Sequence, residues 1–298
     1  MPTPSRVPAL DGLRGLAAGA VLIGHAVAVA LPPARLDLPG TLAHAGVVAF
    51  LLASGAVIPN ALERAGSLTR FWRGRAYRLL PLYWACIALL ALLTLAGLAR
   101  DYADVAFTVN YQAPPIVWLV NLTMLQGFVG VPHLLGPFWT LHLELQWYAV
   151  ASLLWATGAA RYSRAVLLGL CALAPFGDVP LYLCLFWAGH VATRRPGAHW
   201  APLLVAALCV VAGGDLMAGR LLGLALAWPA VTGRLPWLAR LARGGEISYG
   251  VYLLHPLVIV ALPLAGPLAL PVWVVATVAL AAVAWRYVEV RGIAAGRR

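Results

Sequence analysis

Two ionisable residues in one otherwise apolar stretch, Arg14 and His25, are the first candidates for chemistry. A charged side chain at mid-bilayer depth costs about 2.5–3.5 kcal/mol even on the mildest scale, so such a residue asks for a purpose. Their spacing of eleven residues is close to three turns at 3.6 residues per turn, so one helix face would carry both, roughly 16 Å apart along the axis. Desolvation disfavours the charged form of a buried histidine, and neutral imidazole is the state a general base needs. Gly15, Ala17, Ala18, Gly19 and Ala20 lie between the two and permit close helix packing. A snorkelling arginine and a histidine hydrogen-bonded in a helix interface would fit the same spacing.

Arg75 and Arg78 are three apart, so they share a face if their segment is helical. Paired guanidiniums there suit bidentate binding of phosphate. The neighbouring Arg64, Arg70 and Arg73 read equally well as a basic patch touching lipid headgroups. Glu144 is a carboxylate within an apolar block, with Arg14, His25 or a serine on a neighbouring segment expected to satisfy it. His142 lies two residues before it, off its face. His255 sits in another apolar block, where a structural hydrogen bond is the expected role. His44, His133, His190 and His199 have no partner evident in the sequence.

Long uncharged runs must position these groups. Of 298 residues, 62% are hydrophobic and 10% charged, against roughly 25% charged in a soluble domain. Leu79 to Leu98 has no charge at all, and about 20 such residues cross a bilayer core as helix. The chain reads as an all-α polytopic membrane protein, a single domain over 1–298. A net charge of +11 would suggest nucleic acid in a soluble protein, but all 21 basic residues are arginines gathered between apolar blocks. That distribution marks cytoplasmic loops rather than a nucleic-acid surface. Met1 to Arg14 shows no cleavable signal, so the first block is expected to be retained as a span.

Ten spans are expected: Ala9 to Leu31, ending at Pro32-Pro33, Thr41 to Leu62, Leu79 to Leu98, Pro137 to Thr157, Ala165 to Pro175, Leu181 to Thr193, Trp200 to Gly213, Ala218 to Thr232, Ile247 to Leu264, and Leu268 to Trp285. Several are short, as tilted or partly re-entrant segments are. With the run Ile116 to Val131 left uncrossed, both termini face the cytoplasm. The patches at Arg161 and Arg164, Arg194 and Arg195, Arg234 to Arg243, and Arg286 to Arg298 then lie inside, and only Arg35, Arg100 and Arg220 lie outside. The four cysteines, Cys86, Cys171, Cys184 and Cys209, form no metal-ligand spacing and read as packing residues. H-E-x-x-H, Walker A, G-x-G-x-x-G and G-x-S-x-G are all absent from the sequence.

Five segments in order carry a resemblance. Leu10-Asp11-Gly12-Leu13-Arg14, followed by ten residues and His25, resembles the opening motif of the acyltransferase-3 family of bacterial membrane O-acyltransferases. Phe50 to Gly55 (FLLASG), Arg75 to Trp84 (RAYRLLPLYW), Trp139 to Tyr148 (WTLHLELQWY) and Ile247 to Pro256 (ISYGVYLLHP) are similar to its later motifs. The likeness extends from Leu10 to Glu289. Leu145 replaces the second acidic residue of a Glu-Glu pair, and the closing tail reads Val288-Glu289-Val290-Arg291.

The resemblance implies acyl transfer from a cytoplasmic acyl-CoA, acetyl-CoA being the expected donor, to a hydroxyl of a sugar, polysaccharide or glycolipid. It implies His25 as catalytic residue and Arg75 and Arg78 as contacts to the donor. Arg14 would hold a donor phosphate or an acidic partner, and Glu144 would orient the site. Ser54, Tyr83, Trp139, Tyr148 and His255 complete the expected substrate-binding set, and whether His25 or Ser54 ever carries the acyl group stays open. No metal or permanent cofactor is expected, and the expected location is a bacterial plasma (inner) membrane. The same intramembrane Arg, His and Glu would also serve a proton-coupled secondary transporter, although the lack of repeat halves weighs against one.

Overall fold

The computed structural model describes residues 8–31, 38–102, 104, 106–174, 177–194, 200–212, 216–242 and 246–297. The expectations on Pro32, Pro33, Arg35, Pro175, Arg195, His199, Gly213, Arg243, Arg298 and the Cys209 side chain fall outside the description.

Among the described residues the chain is helical, with two isolated β-bridges, Tyr102 to Phe107 and Val109 to Leu135. The helices are α1 Pro8–Ala30, α2 Leu38–Ala65, α3 Leu68–Leu95, α4 Pro115–Leu122, α5 Phe138–Ala156, α6 Ser163–Leu173, α7 Asp178–Arg194, α8 Trp200–Ala212, α9 Met217–Val231, α10 Ser248–Ala261, α11 Ala269–Ala284 and α12 Val290–Arg297. A π-helical turn, Trp285–Glu289, joins α11 to α12. Four stretches are long and apolar enough to cross a membrane: α1 with 23 residues, α2 and α3 with 28 each, and the continuous run Ala269–Arg297 with 29. This is a membrane protein. Each of the ten expected blocks contains a helix, but α6 at 11 residues and α10 at 14 fall short of the roughly 20 that a straight crossing takes. The eight residues of α4 reach about 12 Å, so Ile116 to Val131 does not cross as a helix.

Two boundaries differ most from expectation: the last span, expected to end at Trp285, runs on to Arg297, and the third starts early. The third span was placed at Leu79 to Leu98, yet α3 begins at Leu68 and takes in the arginine patch. Hydropathy marks only the apolar part of a helix, whereas arginine is itself a good helix former. At the other end Gly97 takes φ +69°, and the Leu98 amide donates to the Leu93 carbonyl 2.9 Å away, closing the helix at Leu95.

The chain forms two compact units. The first comprises residues 1–20, 41–71 and 143–246, and within it α6 to α9 pack in succession. Its tightest crossing joins α2 to α7 through two glycines. A Cβ at Gly55 would overlap the Phe186 backbone, and one at Gly189 would overlap the Leu52 backbone. Gly219 and Gly223 of α9 lie in the same way on His44 and Ala45 of α2. Small residues of this kind allow helices to pack where apolar burial offers no net drive.

The second unit comprises residues 21–40, 72–142 and 247–298. In it α10 packs on α11, and Gly250 seats against Ala281. The Tyr83 hydroxyl donates to the Asn121 carbonyl, 2.8 Å away, and ties α3 to the end of α4. Asn121 in turn donates to the Val117 and Pro132 carbonyls at 2.8 and 2.9 Å and accepts from the Leu134 amide at 3.1 Å. Burial, with His142 nearby, pushes His133 down to about 4. Its neutral ring lies 3.1 Å from the Gln126 side-chain amide.

The glycine crossing yields a stability expectation. Gly55→Ala should cost about 1–3 kcal/mol, because backbone rather than a flexible side chain must give way. Gly19→Ala, with open space around it, should stay within about 0.5 kcal/mol. Thermal unfolding of the purified protein in detergent reads both, and equal midpoints would refute the close crossing.

Candidate active site

His25 and His255 meet within the second unit. Nδ1 of His25 lies 2.8 Å from Nε2 of His255, and Nδ1 of His255 lies 3.2 Å from the Val251 carbonyl oxygen. A carbonyl can only accept, so neutral His255 carries its proton on Nδ1 and presents a lone pair at Nε2. That lone pair accepts a hydrogen bond from the Nδ1–H of His25. The Nε2 of His25 is thereby left as the basic nitrogen. His255 is wholly buried (0% exposed), while His25 is partly exposed, so His25 is the more accessible of the two imidazoles.

Phe107 packs on both rings, with centroids 5.3 Å from His25 and 6.1 Å from His255. The Tyr252 ring lies 6.1 Å from His255, and its hydroxyl is 2.8 Å from that of Thr140. Phe107 was not singled out by sequence, and Thr140 was quoted within a motif but had no expected role. Tyr252, one helical turn before His255, was part of a quoted motif but had no expected role.

Arg75 and Arg78 lie on α3, so the condition for a shared face is met. Both are partly exposed. Between them, Tyr77 receives Gly292 and Gly296 of α12. Pro81 has no N–H to give the Tyr77 carbonyl, four residues back, and a Cβ at Gly292 would overlap that same oxygen. A bare glycine helix therefore seats on the arginine-bearing turn. The signal was legible as G-x-x-x-G at 292–296.

Arg14, Ser54, Glu144 and Tyr148 lie in the first unit. The Arg14 guanidinium sits over the Phe50 ring, 4.9 Å from its centroid. Gly12, two residues before it, lies against the Leu238 backbone where any Cβ would overlap. Ser54 is buried, and its hydroxyl has no hydrogen-bond partner among the described residues. Glu144, 5% exposed, accepts a 2.5 Å hydrogen bond from the Tyr148 hydroxyl. The expectation that Arg14, His25 or a serine satisfies Glu144 is thus corrected. A tyrosine one turn along the same helix does so, since residues four apart are neighbours. Tyr148 is also packed edge-on by Phe71 at 5.7 Å, and Trp147 stacks on Phe186 at 5.2 Å.

Of the remaining substrate-binding expectations, Tyr83 is wholly buried and engaged with Asn121 and Gln126. These bonds tie it to α4 and to the 3-10 turn Gln126–Phe128. Trp139 is partly exposed in the first turn of α5. No group of three or more metal-ligating side chains occurs among the described residues.

Tyr148→Phe should leave the Glu144 carboxylate buried without its donor and cost about 1–3 kcal/mol. Tyr162→Phe, at an exposed position, should be neutral. Differential scanning fluorimetry of the two variants checks this, and equal melting would remove Tyr148 as the partner that matters.

Comparison with known proteins gives the geometry its chemical class. Residues 7–214 match the model of an acyltransferase domain family. The chain is 28% identical over 299 aligned residues to Nodulation protein 10 of Rhizobium leguminosarum bv. viciae, covering 82% of this chain and 80% of that protein. No solved structure matches. The family decides between acyl transfer and proton-coupled transport in favour of the enzyme. The chain, with its arginine and histidine eleven residues apart on α1, belongs to the acyltransferase-3 family of membrane O-acyltransferases.

Proposed function

We propose that the protein moves an acyl group, acetyl being the favoured one, from acyl-CoA to a hydroxyl of a sugar, polysaccharide or glycolipid, with His25 as general base. The observation that carries this reading is the proton order fixed by Val251, His255 and His25. Nε2 of His25 takes the acceptor's hydroxyl proton as the oxygen attacks the acyl carbon. A C–O bond forms, the C–S bond breaks, and the proton passes to the departing thiolate, releasing coenzyme A. His255 acts as a positioning residue, because it holds the His25 ring in the tautomer whose lone pair is on Nε2. General-base catalysis of this kind is worth typically about 10²–10⁴-fold.

Arg75 and Arg78 bind the donor phosphates in this reading. Arg14 holds a phosphate or an acidic partner, and Glu144, with Tyr148, orients a reacting group. Ser54 and Trp139 keep a proposed place against substrate, whereas Tyr83 serves the α4 loop. The chain works as one catalytic domain with no permanent cofactor. It crosses a bacterial inner membrane ten times with both termini in the cytoplasm, in keeping with the arginine asymmetry.

Thiol release from acetyl-CoA by the purified protein, with candidate glycans as acceptors, tests the reading. His25→Ala should lower kcat by about 10²–10⁴-fold while membrane insertion stays intact. His255→Ala should lower kcat by about 10–100-fold, as loss of an orienting partner does, with the donor KM unchanged. His255→Gln, whose amide oxygen can accept from Nδ1 of His25, should recover part of that loss. A near-normal rate in His25→Ala would remove the general base, and no recovery in His255→Gln would remove the orienting role.

In the same assay Arg75→Ala and Arg78→Ala should raise the donor KM well above that of Arg64→Ala. Equal effects at all three would reduce the pair to generic surface charge.

A further inference from the structure

The first unit holds a second built site, where the ends of α2, α5 and α7 meet the 3-10 turn Ala159–Tyr162. A cavity of roughly 420 Å³ is lined there by Glu63, Trp155, Arg161, Trp187, His190 and Arg194, among others. Arg194 is ion-paired with Glu63 and lies 3.4 Å from the Asn60 side-chain oxygen. Arg161 is the second guanidinium, lying over the Tyr162 ring at 4.8 Å. His190 is 4% exposed, packs against Trp187 at 4.6 Å between centroids, and has a buried Nδ1 with no hydrogen-bond partner among the described residues. A polar atom stranded in this way costs about 1–3 kcal/mol. A ligand that settles the His190 ring in the cavity would relieve part of that cost.

Three features of the lining define the ligand. Two guanidiniums and one carboxylate leave a single positive charge, which balances one phosphodiester and not the several phosphates of a nucleotide coenzyme. Trp155 and Trp187 give the walls the amphipathic rings that settle at a headgroup boundary. The floor is apolar, formed by Pro59, Leu62 and Ala151, and fits the start of acyl chains. Basic pockets between membrane helices are known to take anionic lipid headgroups.

We infer that this cavity is a specific site for an anionic phosphodiester lipid, with the phosphate on Arg161 and Arg194 and the glycerol hydroxyls facing His190. The lipid joins the end of α2, which carries Ser54, to the end of α5, which carries Glu144. It is therefore a structural ligand of the helices bearing those residues. It takes no part in the transfer itself, so the site does not stand or fall with the role of His25.

Native mass spectrometry of the delipidated full-length protein, titrated with dioctanoyl-phosphatidylglycerol, tests the inference. One saturable adduct is expected, and dioctanoylglycerol, which lacks the phosphate, should give none. Arg161→Ala and Trp155→Ala should each weaken the adduct about ten-fold or more, whereas Arg240→Ala, an exposed arginine outside the cavity, should leave it unchanged. Coenzyme A at saturating concentration should not displace it. Equal binding of the phosphate-free lipid, displacement by coenzyme A, or an adduct indifferent to both Arg161→Ala and Trp155→Ala would each overturn the site. Thermal melting of every variant confirms that a lost adduct is not a lost fold.

Discussion

The Val251 carbonyl can accept a hydrogen bond and cannot donate one, and the proton order of the paired imidazoles follows from that. Because His255 must donate to it, the lone pair of His255 faces His25, and the lone pair of His25 faces the other way. A pair of imidazoles with no such terminus could carry its protons in either direction, and neither ring would be reliably basic. Pro256, inside the same helix, removes one amide donor from the ladder and leaves the Tyr252 carbonyl without it. Phe107 and Tyr252 close the surroundings with rings, and Thr140 tethers the Tyr252 hydroxyl. The scarcity of water at such a depth makes each of these bonds harder to exchange than in solution.

Polar groups elsewhere in the molecule follow the same requirement. Glu144 is matched by a tyrosine on its own helix. Asn121 makes three bonds in closing the loop after α4. Tyr83 spends its hydroxyl on a backbone carbonyl and on Gln126. Arg14 is stabilised by the face of Phe50, at 4.9 Å, which is worth more when the cation is desolvated.

Much of this was legible in the sequence, and the limits are physical. The apolar runs located a helix in every expected block, because hydropathy and span length are tied through the bilayer thickness. The start of α3 was misplaced, because a run of arginines says where charge lies and nothing about whether the backbone has stopped being helical. Motif order brought out His25 and His255 as separate residues, but a contact 230 residues apart in the chain leaves no periodic trace. Phe107 had no signal at all, since it comes from a loop whose regularity, among the described residues, is two isolated β-bridges. The partner expected for Glu144 was Arg14, His25 or a serine on a neighbouring segment, and the tyrosine four residues along its own helix was passed over. A short tyrosine hydrogen bond on the same helix serves a buried carboxylate without importing a second ion into the bilayer.

The π turn between α11 and α12 has a bearing on how the chain can change length. Such a turn accommodates one residue more than a regular helix would place there. The flanking segments keep their faces, so α11 still packs on α10 while Gly292 and Gly296 still lie on Tyr77. The slack is local, and it coincides with Glu289, which is wholly buried. A chain one residue shorter within Trp285–Glu289 would wind straight through, keep both glycines on the arginine-bearing turn, and lose the widening that carries a carboxylate inward. Length variation at this joint therefore acts on the widening at Glu289 and leaves the seating of the last helix in place.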